Sequence, residues 1–185
     1  MLKAENLAQE TVTENSIHVN NDEVLLEKVL KPYKANCKYL KSAELIQEGD
    51  PQNRGRVIGR CELSIPESCY IDDTGHFNSV EFNICYNQMT YYLIAKSIKE
   101  GLMASFKSWT MDNYWSKQLS DIYIVNFESS FRRPIQSSKF WGEIEFTNIR
   151  VRSGMMYIVT KCRYWDDKDG NCSGNVKLAI VNSSV

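Results

Sequence analysis

Apolar residues recur along this chain with two periods, and the changes from one to the other mark out its elements. "DEVLLEKVLKPY" puts Val24, Leu25, Val29 and Leu30 on one helical stripe. Asp22 is placed to cap its first turn, and Pro32 marks its end. "CKYLKSAELIQE" and "RGRVIGRCELSI" read as strands, with the turn formers of "GDPQN" between them. After the polar "PESCYIDDTGH" comes a long helical run over residues 78–99, closed near Gly101. Val80, Ile84, Tyr91, Ile94 and Ile98 share its main apolar face, while Phe82, Cys85, Met89 and Leu93 carry apolar surface round the side. A helix apolar over most of its circumference is a buried one.

"SWTMDNYWSKQL" predicts a short amphipathic helix. Four strands follow: "DIYIVNFESSF", "KFWGEIEFTNIRVR", "MMYIVTKCRYWDD" and "VKLAIVN", the last two joined by a hairpin-type loop, "KDGNCSG". In "KFWGEIEFTNIRVR" the apolar phase slips between Phe146 and Ile149, as one extra residue in a β-bulge would make it do. Strands gathered around a single long apolar helix predict an α+β fold, a curved antiparallel sheet wrapped around that helix.

Composition narrows this further. At 185 residues and 43% hydrophobic, the chain supports one sizeable core. The expected organisation is a flexible polar leader over residues 1–21 and a single domain over residues 22–185. Net charge is -1 with no basic stripe, which argues against a nucleic-acid partner. No run approaches the roughly 18 apolar residues of a membrane span. The N-terminal string has no apolar core of signal-peptide type, so a cytoplasmic location is expected, with all six cysteines reduced. No two cysteines form a C-x-x-C pair or stand at zinc-like spacing with a histidine, so no metal is expected.

The chemistry concentrates in "YIDDTGHFNSVEFNICYNQMTYYL". Asn87 falls on the main apolar face, where a buried amide must find partners or cost about 1–3 kcal/mol. It either bonds a neighbouring strand or faces a ligand cavity. Asn78, Glu81 and Asn87 lie along the first turns, and His76 stands just before them. A helix N-terminus presents unpaired N–H groups that can hold a developing oxyanion, and Gly75 lets a substrate approach the backbone. Asn78 and Glu81 also have the spacing of a capping box. Asp72 is either a base or a plain turn acid. Ser79 and Cys85 lie nearby without a partner that would make either a nucleophile.

"DDTGHFNS" resembles the D-x-x-G-H-x-N-N turn of hot-dog-fold thioesterases. The longer "YIDDTGHFNSVEFNICYNQMTYY" is more similar to the FcoT-like family, as are "VLKPY", "SWTMDNYWSKQL", "SSFRRPIQSSKF" and "WDDKDGNCSGNVKLAIVN". The blocks occur in order and cover residues 23–182. The resemblance implies the hot-dog fold and homo-oligomers with acyl-thioester sites at subunit interfaces. It implies two activities: hydrolysis of a long-chain acyl-CoA, or Michael addition of glycine to a 2-enoyl thioester on an acyl carrier protein, giving an N-carboxymethyl-3-amino-acyl product. The family's functional positions fall on Tyr33, Tyr70, Asn78 and Asn87, and His76 and Glu81 match its string too. Ser79 replaces the second Asn of ordinary hot-dog thioesterases, and the FcoT-like pattern requires no acid at Asp72.

The expected roles follow from both lines. Glu81 is the base; His76 is its partner acid or binds the glycine carboxylate; the helix N-terminus, aided by Asn78 or Tyr70, donates to the thioester carbonyl. Tyr33, Gly75 and Asn87 bind substrate. Arg132 and Arg133, with Lys139, hold a pantetheine phosphate or an acidic carrier protein, or are simply solvated strand-end charges. No cofactor is expected beyond the phosphopantetheine of the carrier or of CoA. Tyr91, Tyr92, Phe106, Trp109, Met111, Tyr114 and Trp115 either line an acyl tunnel or pack as ordinary core. A non-catalytic protein that binds an acyl carrier is the remaining alternative.

Overall fold

The structure, a computed structural model, describes residues 16–49, 56–72 and 75–183. The predicted turn at residues 50–53 lies outside the described residues, as do residues 1–15 of the expected leader. Strand β1 (Ser16–Val19) leads into helix α1 (Glu23–Val29), then strands β2 (Leu40–Glu48) and β3 (Arg56–Leu63). The long helix α2 (Ser79–Glu100) and the short α3 (Met111–Lys117) follow. The chain ends in β4 (Ile122–Arg133), β5 (Phe140–Arg152), β6 (Met155–Trp165) and β7 (Asn171–Ile180). All strand pairs are antiparallel, in one sheet of order β1-β2-β3-β5-β6-β7-β4, and α2 lies across it. This is the α+β hot-dog arrangement, a helix wrapped by a curved sheet. No helix among the described residues is long and apolar enough to cross a membrane.

Local signals explain most boundaries. The Asp22 carboxylate accepts from Leu25 N at 3.0 Å and caps α1. Gly101, at φ 66°, closes α2. The ladder between β5 and β6 shifts register between Phe146 and Asn148, which is the bulge the slipped alternation predicts.

Three expectations are corrected. The end of the expected leader is ordered: Ser16–Val19 pairs with β2, Ile17 opposite Gln47, because the free edge of β2 offers a row of unpaired backbone groups. The predicted loop "KDGNCSG" is shorter, since β7 already begins at Asn171 and pairs there with Trp165. The third concerns α2. Its covered side is Phe82, Cys85, Tyr86, Met89, Tyr92 and Leu93, all fully buried, as is Ile94 of the predicted face, whereas Val80 is exposed and Ile84, Asn87, Tyr91 and Ile98 are half-buried. Strand glycines decide this. A Cβ on Gly142 would come within 2.8 Å of Met89 Sδ and 2.9 Å of Leu63 Cδ1, and one on Gly59 would collide with Leu93. The sheet is bare where Met89 and Leu93 press on it, so that side of α2 packs closest.

Candidate active site

The site is built at the first turn of α2. Asn78 has extended backbone, and its Oδ1 accepts from Val80 N at 2.9 Å and Glu81 N at 3.3 Å. Glu81 Oε2 accepts in return from Asn78 N at 3.2 Å. The capping box is therefore formed, and Glu81 is almost wholly buried in making it. Capping uses only the oxygen of the Asn78 amide. Its Nδ2 points outward and donates to the Tyr70 hydroxyl at 2.6 Å. Two of the residues singled out in the sequence thus form one hydrogen-bonded pair.

A neighbouring strap holds this turn. Phe77 is buried, its ring 4.8 Å from Phe140 and 5.0 Å from Tyr164, and its N–H donates to Ile135 O at 3.1 Å. Ile65 N donates to Ser137 O at 2.8 Å. The strap, residues 134–138, is itself tied down by Asp166, whose carboxylate accepts from Gln136 N at 2.7 Å, Gly170 N at 2.8 Å and Lys168 N at 2.9 Å. Burial alone would raise the pKa of Asp166. The three amides outweigh it and hold the carboxyl below the usual range. Neither Phe77 nor Asp166 carries a sequence signal of function; each acts by placing others.

Two cavities flank the turn. One, of about 320 Å³, is lined by Ser68, Asp72, Gly75, Glu81, Gln136 and Ser137, among others. The second, of about 360 Å³, is lined by His76, Asn78, Ser79, Phe131, Arg132 and Arg133, with Phe77 and Pro134 completing its wall. Glu81 and Gly75 thus border the first, His76 and Asn78 the second. Gly75 sits at φ 72° with open space where a Cβ would be, so it is glycine for its backbone conformation. Asp72 is exposed at the rim of the first cavity. Arg133 reaches Asp169 at 3.5 Å, but both ends are largely in solvent, so the pair is weak and the guanidinium can be recruited by a ligand. Lys139 lies elsewhere, beside Glu62 at 3.3 Å.

Tyr33 and Asn87 line neither cavity. Burial, then the nearness of Tyr91, Cys85 and Cys37, holds the Tyr33 hydroxyl well above the ordinary tyrosine range, so it remains a donor. Asn87 is half-buried and, among the described residues, makes one long contact, 3.4 Å to Asn83 Oδ1, rather than a bond to a strand. The expected tunnel aromatics mostly pack as core. Tyr114 is fully buried, with its hydroxyl on Tyr91 O at 2.9 Å; Phe106 meets Trp109 edge-on; Trp115 lies under the Lys28 ammonium. No thiol is activated where a shift is evident. Burial pushes Cys61 and Cys85 up, Cys162 and Cys172 to about 12, and Cys37, which also meets Cys69, to about 11. The site offers oriented donors, a shielded carboxylate and nearby guanidinium groups, which suits polarising a carbonyl and moving a proton without a covalent intermediate.

The chain is 54% identical over 166 residues to a (2E)-enoyl-ACP glycyltransferase from Streptomyces coeruleorubidus, across 87% of this chain and 98% of that protein. It is 34% identical over 164 residues to a protein of the same name from Mycobacterium marinum, across 86% of each. It is 33% identical to another from Mycobacterium tuberculosis, across 86% of this chain and 87% of that one. A model of the FcoT-like thioesterase domain matches residues 28–180, a span that takes in α2 and both cavities, and the chain belongs to that family.

Proposed function

We propose that this protein is an enzyme that adds glycine to a 2-enoyl thioester carried on an acyl carrier protein, leaving an N-carboxymethyl-3-amino-acyl thioester. The observation that carries this reading is the 54% identity, over nearly the full length of both chains, with a (2E)-enoyl-ACP glycyltransferase. The site supplies the parts. The Glu81 carboxylate takes a proton from the glycine ammonium. The freed nitrogen lone pair attacks the β-carbon, forming the C–N bond as the C=C electron pair moves toward the thioester oxygen. Tyr70, held by the Asn78 amide, and the positive end of the α2 dipole stabilise that enolate. The proton that Glu81 took then returns to the α-carbon, directly or relayed by His76, and the added nitrogen keeps its two protons as a secondary ammonium. The thioester bond is never broken, so no nucleophilic side chain is needed.

Arg132 and Arg133 border the cavity of His76 and Asn78, where they meet the phosphate of a phosphopantetheine arm or the acidic surface of its carrier. Tyr33 and Asn87 contact the acyl chain along α2. The chain acts as a homo-oligomer, a reading supported by Tyr123, Val125 and Phe131, exposed apolar residues on the edge strand β4.

The test is intact mass spectrometry of a medium-chain 2-enoyl carrier protein after incubation with and without glycine. The carrier gains one glycine with the wild-type chain and none with Glu81→Gln, which keeps the cap acceptor but has no carboxylate to take the proton. The family's description as a thioesterase domain favours one second reading, hydrolysis of an acyl thioester on carrier or CoA. Release of free carrier without an adduct would establish it. A carrier and a CoA thioester both left untouched would point to a binding protein instead.

A further inference from the structure

We propose that the cavity bounded by Ser68, Asp72, Glu81 and Ser137 is where the amino acid binds, and that Ser68 holds its carboxylate; this rests on the glycine-adding reading above. Ser68 lies in the irregular segment between β3 and α2 and is 9% exposed. Its hydroxyl is buried without a hydrogen-bond partner among the described residues, and the residue lines the cavity. A buried hydroxyl without a partner is unfavourable unless something else supplies one, and here the open side is a cavity.

The walls match a zwitterion. The Glu67, Asp72 and Glu81 carboxylates make the cavity acidic and suit an ammonium group. The Ser68 and Ser137 hydroxyls and the Gln136 amide suit a carboxylate. The same walls are wrong for the other substrate, since acids repel a phosphate. The cavity across the turn carries Arg132, Arg133 and Phe131 instead. One strap divides them: Arg133 and Pro134 face the basic cavity, Gln136 and Ser137 the acidic one. Amine and thioester therefore approach the first turn of α2 from its two sides, Glu81 lining the amine's side and Asn78 the thioester's. Ser68 contacts substrate but moves no proton.

The experiment uses the full chain with a saturated acyl carrier protein, which cannot react. Binding of carbon-13-labelled glycine is followed by NMR titration for wild type, Ser68→Ala and Ser68→Thr. Glycine should bind wild type, bind Ser68→Ala roughly tenfold or more weakly, and recover in Ser68→Thr, which restores a hydroxyl. With a 2-enoyl carrier, Ser68→Ala should raise KM for glycine and leave KM for the carrier unchanged. Thermal midpoints should not fall in Ser68→Ala, because no protein hydrogen bond is lost; a structural role would lower them. Glycine binding that is absent in wild type, or unchanged in Ser68→Ala, overturns the proposal. Binding that depends on Ser68 without any adduct on the enoyl carrier sustains the pocket and sinks the glycine-adding reaction alone.

Discussion

The Asn78 side-chain amide donates to the Tyr70 hydroxyl at 2.6 Å while its own oxygen is held by Val80 N and Glu81 N. The cap fixes which way the amide faces, so the tyrosine must accept from it and has its own proton left to give. A donor that is itself accepting a hydrogen bond is strengthened, and Tyr70 remains 41% exposed, within reach of a substrate. Tyr70→Phe should therefore lower kcat by roughly 100-fold with little change in KM for either substrate, the signature of an oxyanion donor. Asn78→Asp keeps the cap but replaces the donor with a carboxylate that accepts the tyrosine's own hydrogen bond and leaves it none to give. It should melt like wild type and be as impaired as Tyr70→Phe. Steady-state kinetics beside a thermal melt decide; an active Asn78→Asp enzyme would break the assignment.

Replacing both Arg132 and Arg133 with Ala should act on the carrier substrate alone. Both guanidinium groups are exposed at the rim of their cavity, so their attraction to phosphate is screened by salt. KM for the acyl carrier should rise roughly tenfold in the double variant. The wild-type KM should rise with added salt while the variant's stays flat. KM for glycine should not move in either protein.

How much of this was legible in the sequence depends on what each feature rests on. The capping residues Asp22, Asn78 and Gly101 act on neighbours three or four positions away, so their spacing displays them. The bulge was visible because one residue out of phase shows as a slip of the alternation. The covered face of α2 was not, since Val80, Ile84 and Tyr91 are as apolar as Phe82 and Met89. Gly59 and Gly142, far away in sequence, decide which side packs. The same holds at the site. Tyr70 and Asn78 are eight residues apart and fall within one motif. Ser68, Gln136 and Asp166 meet only through the fold, and nothing local marks them.

Asp166 should matter to catalysis without touching either substrate. Its carboxylate gathers three backbone amides, and through Gln136 N it fixes the strap that divides the two cavities. Asp166→Ala leaves those amides without their acceptor and should cost about 3 kcal/mol of stability. Asp166→Asn keeps part of the network and should fold. In Asp166→Asn, kcat/KM should fall for glycine and for the carrier together, unlike the one-sided effects expected at Ser68 and Arg132. Denaturant unfolding and two-substrate kinetics on the same preparation test this.

Gly142 is where the bare sheet lets α2 sit close. Gly142→Ala sets a methyl against Met89 Sδ at 2.8 Å and the Tyr164 ring at 3.0 Å, both fully buried. Both neighbours are packed in the core, so the variant should lose about 1–3 kcal/mol by overpacking. Urea unfolding measures it. A variant as stable as wild type would show that α2 does not bear on the sheet at this point.

Asp22 links α1 to the far end of α2 and sets an acid limit on stability. Its carboxylate caps Leu25 N, pairs with the Lys99 ammonium, and lies 3.6 Å from Lys96 Nζ, while its N–H donates to the Tyr92 hydroxyl at 2.8 Å. The hydrogen bond from Lys99, then that from Leu25 N, lowers its pKa from 3.8 to about 2. The folded value lies below the unfolded one, so the contribution is fully present above the unfolded pKa and is lost as pH falls from about 4 toward 2. Asp22→Asn retains a cap acceptor but not the charge, and it leaves the buried Lys96 with Glu100 as its remaining ion-pair partner among the described residues. Melting curves should show the variant less stable than wild type at neutral pH, with the gap closing as the pH is lowered through that window. A gap that persists at the acid end would mean that packing at Asp22, and not its charge, ties the two helices together.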